Sequence, residues 1–435
     1  MAATLHSLGM RAWLASGATG RPKVEGRKIS NIVRSLTDRD FVLRKHAAAI
    51  RKLVSLAKAY GIAPDSDGIN PGYRGAIGLI PDDLRTWLDL ASHHDVELPS
   101  GAGMQKTVIE VARKALVESI SLNDSMIDFD DMLYLPVIFG TPFSSPGWVF
   151  VDEAQDVSGI QRAMLRRMIR PGTSDRIVAV GDKFQSVYGF RGSDSESLAN
   201  IGRDFDCDTL PLSVTYRCAL SIVAEAQAFV KDITARDGAP QGEVIDSPEF
   251  RATDLKRDDL IICRNKAPLL TAAFALIGRG VPAAIMGRDI GKDITTTIEN
   301  FRAGSIEDLG AKLTKWEAEQ TIEAMNREDE AKADRIADKA LCIRTVIENT
   351  PNARTVADIT ARVESLFADD HPNRVRLATI HKAKGLEADR VFILKRELLP
   401  SGYARQPWQR AQEANLEYVA VTRAKNTLVN VSVFV

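Results

Sequence analysis

Long apolar runs are missing from this sequence. The best of them, Leu133 to Gly140, is eight residues long and contains Pro136, far short of the ~18 residues that a membrane-spanning helix needs. Cysteine is scarce: Cys207, Cys218, Cys263 and Cys342 lie 11, 45 and 79 residues apart and form no C-x-x-C pair. That spacing encodes neither a disulfide framework nor a zinc site, and free thiols fit a reducing, cytoplasmic setting. There is no H-E-x-x-H, so a zinc hydrolase has no support. Excess charge of one sign is also absent, with 57 Lys and Arg against 58 Asp and Glu, a net charge of −1. A uniformly basic nucleic-acid coat is excluded; a local basic channel is not. No repeat or low-complexity tract is present. No acid precedes Glu25, while Arg11, Arg21 and Lys23 are basic, which only loosely matches a transit peptide.

What is present is ordinary globular chain, 45% apolar and 26% charged over 435 residues, enough for two or three domains at ~150 residues each. Residues after Gly20 read as helical, with Val42, Leu43, Ile50, Leu53, Val54 and Leu56 on one face. The texture changes at Trp148. Trp148 to Val151 and Ile177 to Val180 are short apolar runs, each followed by an acid and each near a helical pattern. Leu260 to Ile262, Leu377 to Ile380 and Val391 to Leu394 repeat the theme. Short apolar strands alternating with helices predict parallel α/β sheets covered on both faces. Between them, Lys315 to Lys339 alternates charges of both signs, the pattern of a solvated helix face.

The strongest chemical signal is Val149-Phe150-Val151-Asp152-Glu153-Ala154-Gln155-Asp156. Ligands of open α/β sheets bind beyond the carboxyl ends of strands, where these acids fall. One carboxylate there suits Mg²⁺ and a neighbour suits the deprotonation of an attacking water; a helix cap is the plainer reading. Next comes Gly181-Asp182-Lys183-Phe184-Gln185-Ser186-Val187-Tyr188-Gly189-Phe190-Arg191-Gly192. Gln185 is placed to sense a γ-phosphate, while Tyr188, Phe190 and Arg191 offer stacking and cationic groups to a single strand, each stacked base contributing ~1–3 kcal/mol. The alternative is that Tyr188 and Phe190 are core aromatics on one strand face.

With these two motifs the chain resembles the superfamily 1 DNA helicases of the UvrD/Rep/PcrA type. Further segments resemble the family's motifs in order: Thr4-Leu5-His6-Ser7 (T-[FL]-H-S), Asp128-Phe129-Asp130-Asp131 (D-F-D-D-L) and Leu212 to Arg217 (L-x-x-N-Y-R, with Thr215 in place of Asn). They continue with Cys263-Arg264-Asn265, with Thr379 to Glu387 (T-x-H-x-x-K-G-L-E) and with Tyr418 to Lys425 (Y-V-A-x-T-R-A). The resemblance spans nearly the whole chain and is weakest over 15–125 and 288–373. It implies two RecA-like parallel-sheet motor domains, each with a helical insertion, and a first domain that is N-terminally incomplete. The expected divisions are 1–14, 126–205 and 206–287 with 374–435 for the motors, and 15–125 and 288–373 for the insertions.

By the same resemblance the partners are ATP with Mg²⁺, and single-stranded DNA with duplex junctions, for 3′→5′ translocation. Asp152 would serve the metal, Glu153 would be the base and Gln185 would couple phosphate to DNA. Arg217 and Arg423 would contact the γ-phosphate. Tyr216 would stack on adenine and Glu387 would accept from the ribose, with Gly385 also among the cofactor-binding residues. His6, Thr379 and His381 would face DNA beside Tyr188, Phe190 and Arg191.

One element of the family is not where it belongs. The G-x-x-x-x-G-K-[ST] loop should precede the T-x-H-S motif, which here starts at Thr4. Losing three charge-assisted bonds at ~1.5 kcal/mol each weakens ATP binding roughly a thousandfold. The expectation is therefore a chain inactive as an ATPase alone and completed by an upstream segment or a partner chain. A non-catalytic DNA-binding or scaffolding relative is the other reading. One lookalike, Gly101-Ala102-Gly103-Met104-Gln105-Lys106-Thr107, has Gln105 where the second glycine belongs.

Overall fold

The computed structural model describes residues 2–435 except 17–20, 65–78, 171, 188–195, 326–329, 368–373, 403 and 405, and it omits the side chains of 288, 289, 330 and 331. The chain divides into two compact units, residues 1–210 and 211–435, five residues beyond the division read from sequence. Among the described residues no helix is long and apolar enough to cross a membrane.

The first unit opens with α1 (Leu5–Ala15), β1 (Lys23–Val24), α2 (Lys28–Thr37), α3 (Phe41–Lys45) and α4 (Ala47–Tyr60). Then come β2 (Ile62–Ala63), β3 (Ile80–Pro81), α5 (Leu84–His93), α6 (Ala102–Ser121) and β4 (Met126–Ile127). It closes with α7 (Asp131–Ile138), β5 (Trp148–Val151), α8 (Gly159–Met168), β6 (Arg176–Ala179) and α9 (Ser197–Phe205). Local chemistry sets the ends. Gly61, at φ 80°, stops α4, and Ser158 with Gln161 forms a capping box that starts α8. Ile50, Leu53, Val54 and Leu56 are buried as the helical spacing predicts. They share one core with Ala112 and Leu116 of α6, Tyr134 of α7, Val149 and Val151 of β5, and Met164 of α8. The helical segment and the sheet segment are thus packed as one body.

β5 and β6 form a parallel pair. Val149 and Val151 are buried, but Trp148 and Phe150 are 58% and 72% exposed and stack at 6.0 Å. The expectation of a strand covered on both faces is corrected here: among the described residues only one face of β5 is covered. An all-apolar run cannot distinguish the two faces, because successive side chains point opposite ways whatever their hydropathy.

The second unit begins with β7 (Val214–Thr215), α10 (Leu220–Ala226), β8 (Thr234–Ala235), β9 (Glu243–Asp246), β10 (Glu249–Phe250) and β11 (Leu260–Cys263). Next are α11 (Lys266–Gly278), β12 (Ala283–Ile285) and four helices, α12 (Arg288–Asn300), α13 (Ile306–Met325), α14 (Glu330–Glu348) and α15 (Val356–Leu366). It ends with β13 (Val375–Thr379), α16 (Ile380–Ala383), β14 (Ala388–Leu394), α17 (Pro407–Val421), β15 (Ala424–Val431) and β16 (Val433–Phe434). A six-stranded sheet runs in the order β12-β13-β11-β14-β15-β9, parallel throughout. All four residues of β11 are buried, as a central parallel strand requires. α11 is apolar over most of its surface, and Ala267, Leu269, Leu270, Ala273 and Leu276 are buried. Leu309 and Leu313 of α13, Ile343 and Val346 of α14, and Ile359 and Val363 of α15 join the core of Leu270, Leu377 and Phe392. The Asp338 carboxylate on α14 accepts from the backbone N–H groups of Lys266 (3.3 Å) and Ala267 (3.0 Å), capping α11 from across the fold.

Candidate functional site

In the first unit, the acids of the Asp152-Glu153 pair follow directly on β5 and are exposed. Glu153 takes a left-handed turn, φ 51°, and donates its N–H to Asp152 Oδ1 at 2.9 Å. From here a chain of hydrogen bonds runs inward. The Gln155 amide donates to the Glu153 carboxylate, and its carbonyl accepts from the Asp182 N–H at 3.0 Å. Asp182 Oδ2 in turn accepts from Gln185 Nε2 at 2.9 Å. Gln155 is only 3% exposed, and a Cβ on Gly181 would lie 2.3 Å from its side-chain oxygen. Glycine at 181 is what allows the two motifs to touch. Gln155 and Asp182 were not singled out by sequence, although both stand inside the motifs and carry polar groups at strand ends.

The Thr4 hydroxyl caps α1, accepting from Ser7 N–H at 3.2 Å. Gly9 brings α1 against α7 so closely that a Cβ would meet the Met132 carbonyl. This packing sets His6 beside Asp130, whose charge partly offsets the burial that lowers the imidazole pKa. Asp130 also accepts from the Ser55 hydroxyl at 2.8 Å, and Phe129 next to it is 61% exposed. Tyr188, Phe190 and Arg191 lie outside the described residues.

The second unit gathers Arg217, Gly385, Glu387 and Arg423. Glu387 pairs with Arg217 at 2.6 Å and Lys425 at 2.7 Å. The Lys425 bond, with Arg217 behind it, holds the Glu387 carboxyl below the usual range. Gly385 turns the chain at φ 83° just before it. Arg423 is 1% exposed, and its guanidinium donates to the carbonyls of Val419 (3.1 Å) and Leu386 (3.2 Å) and to the Thr422 hydroxyl (3.2 Å). Burial, with Arg217 nearby, pushes its pKa down to about 10, so it stays charged at neutral pH. Arg217 is therefore the accessible cation of the pair, and Arg423 supports the turn that carries Glu387. Tyr216 is 80% exposed. Thr379 is buried and caps α16, accepting from Lys382 N–H at 3.4 Å, while His381 on that helix is half-buried.

The lookalike at Gly101 to Thr107 is helical from Ala102, and Lys106 lies along Glu110 at 3.9 Å. Gln105 N–H already bonds the Gly101 carbonyl at 3.1 Å, so this segment is the first turn of a helix and not a phosphate-wrapping loop. Among the described residues no cluster of three or more His, Cys, Asp or Glu could hold a metal ion. Asp152, a single exposed carboxylate at a strand end, suits Mg²⁺ that draws its other ligands from phosphate and water.

Two family models match this chain. The UvrD/REP helicase N-terminal domain matches residues 105–206, and the UvrD-like helicase C-terminal domain matches residues 290–433. The chain belongs to the UvrD-like superfamily 1 helicases. It is similar to DNA helicase II of Haemophilus influenzae, 24% identical over 396 residues, covering 64% of this chain and 54% of that protein. The DNA helicase II of Escherichia coli is 34% identical over 91 residues, 21% of this chain and 12% of its own length. ATP-dependent DNA helicase PcrA of Leuconostoc citreum is 26% identical over 151 residues, 33% of this chain and 20% of its own length. This UvrD-like chain spans about half the length of the longest-matching of these relatives. The N-terminal match contains the Asp152 to Gln185 hydrogen-bond chain, and the C-terminal match contains Gly385, Glu387 and Arg423.

Proposed function

We propose that this chain carries the nucleotide-hydrolysing and strand-tracking parts of a UvrD-like DNA motor, built from two RecA-like units and moving 3′→5′ on single-stranded DNA. The observation that carries the reading is the hydrogen-bond chain Glu153–Gln155–Asp182–Gln185 at the ends of β5 and β6. Glu153 accepts the proton of the attacking water, and its orientation is fixed by Gln155. Gln185, held through Asp182, couples the state of the phosphate to DNA. When bound, Mg²⁺ held by Asp152 would neutralise charge on the phosphate oxygens. In the second unit, Arg217 supplies a cation for the transferring phosphoryl group and Arg423 fixes the turn beneath it. Tyr216 presents an open ring for adenine, and Glu387 accepts from the ribose once Arg217 leaves it.

His6, Thr379 and His381, with Tyr188, Phe190 and Arg191, are assigned to the DNA path. The burial of the Thr379 hydroxyl favours a backbone or positioning role there. The sequence holds no G-x-x-x-x-G-K-[ST], so these residues alone bind ATP weakly and turn it over slowly.

The test has two arms. Single-stranded DNA binding by this chain is measured between about 50 and 200 mM salt, where phosphate contacts give a steep loss of affinity. ATP hydrolysis is measured after joining the chain to the phosphate-loop segment of a relative. DNA-stimulated turnover that Glu153→Gln abolishes, with nucleotide binding kept, is expected. A chain that binds no single-stranded DNA, or a Glu153→Gln variant as active as its parent, overturns the reading.

A further inference from the structure

Charge is nearly balanced over the chain but not along it. Residues 1–60 hold twelve Lys or Arg and three Asp or Glu, so the remaining residues are net acidic. Two of those cations, Lys28 and Lys58, are buried in ion pairs. The others mostly face outward. Arg34, Arg39, Arg44 and Lys45 are exposed and Arg51 is half-buried. Among the described residues Arg39, Arg44, Lys45 and Arg51 form no ion pair with a carboxylate. Asp40, the nearest acid in sequence, spends one carboxylate oxygen capping α3, accepting from Val42 N–H (2.8 Å) and Leu43 N–H (3.1 Å).

An aromatic ring stands among these cations. Phe41 is 68% exposed, and Lys45 Nζ lies 4.7 Å from its centroid. The outer face of α4 leads away from it through Ala48, Arg51 and Ser55, spaced three and four residues apart. Ser55 bonds Asp130, beside His6 and the exposed ring of Phe129. From Ala48 to Ser55 is seven residues, about 10 Å along α4.

We propose that this edge of α3 and α4 is a second grip on single-stranded DNA, continuing the strand from the Thr4–His6 end of the first unit. Arg44, Lys45 and Arg51 hold phosphates, and Phe41 stacks a base. Cations interleaved with an open aromatic face fit a single strand, in which base faces are accessible; a duplex presents phosphates alone to such a surface. The inference rests on the DNA-motor reading above, but none of its residues belongs to a motif that supports that reading.

The experiment uses the full chain and labelled oligothymidylates, from lengths that reach only the His6 end to lengths that cover both. On long strands Phe41→Ala weakens binding by about five- to a hundredfold, and Phe41→Trp restores it. Lys45→Ala with Arg51→Ala lowers the slope of log affinity against log salt by about two. On the shortest strands that bind, all three variants match the parent. If the parent binds DNA and the variants match it at every length, or weaken short and long strands equally, the second grip is wrong and the motor reading stands. If the parent binds no DNA, both fall.

Discussion

The ammonium of Lys58 and the carboxylate of Asp131 meet at 2.7 Å with neither side chain exposed. Lys28 reaches the other oxygen of Asp131, also at 2.7 Å, and Lys58 reaches Asp128 at 2.7 Å. Two cations and two anions cancel inside the first unit, tying α2 and α4 to the start of α7. Burial works against every one of these charges. Lys58 and Lys28 nonetheless hold the Asp131 carboxyl below its ordinary range, while burial leaves Asp128 above it.

Removing one partner should therefore be severe. Lys58→Met leaves Asp128 unpaired in the interior, and a loss of about 3–5 kcal/mol is expected. Arg85→Ala, which breaks an exposed pair with Asp89, should cost under about 1 kcal/mol. Urea denaturation of both variants checks this; equal midpoints would show that the buried cluster adds nothing.

His94 gives a pH dependence. Burial, with His93 and Lys52 adding to it, pushes its pKa down to about 4, and its Nε2 lies 2.9 Å from the Tyr60 hydroxyl. The folded chain favours the neutral ring, so the unfolded chain takes up the proton first on acidification. Stability from this site is complete above pH ~6.5 and is lost as pH falls toward about 4. Thermal melting across that window should show a slope that His94→Gln flattens. A parallel slope in the variant would assign the acid sensitivity to other groups.

Gly181→Ala drives a methyl group onto Gln155. Overpacking of this kind costs about 1–3 kcal/mol, and the shift should disconnect Asp182 from Gln155. Loss of hydrolysis out of proportion to loss of stability is expected in the hydrolysis-competent chain. Unchanged hydrolysis would mean that Gln155 is a packing residue only.

Asp338→Ala uncaps α11. A loss of about 1 kcal/mol is expected, together with faster proteolysis within residues 306–348 under native conditions. Digestion at the parental rate would show that the shared core alone holds the four helices in place.

Much of this was legible in the sequence because its carriers are local. The apolar run ending in Asp152 and Glu153 marks a strand end, and the periodicity of Ile50 to Leu56 marks a buried helix face. What was not legible depends on partners distant in the chain. Lys58 and Asp128 are 70 residues apart, and no spacing rule links them. Arg217 and Glu387 were read as separate contacts, yet they pair directly, because β14 and the segment after β7 converge only in the folded unit. The charge-dense stretch near Lys315 does form helices, but their buried faces, Leu309, Leu313, Ile343 and Val346, were hidden among the charges.

β11 sits at the centre of the six-stranded sheet, and both of its neighbours come late. Leu260 lies opposite Arg376 on one side and Val391 on the other. A ribosome adding ~5–20 residues per second leaves this strand without either partner for roughly 6–25 s. During that interval its four apolar residues and two edges stand without their sheet neighbours. The four helices between β12 and β13 lengthen the wait, so the order of synthesis sets a timing of assembly that the finished core does not reveal.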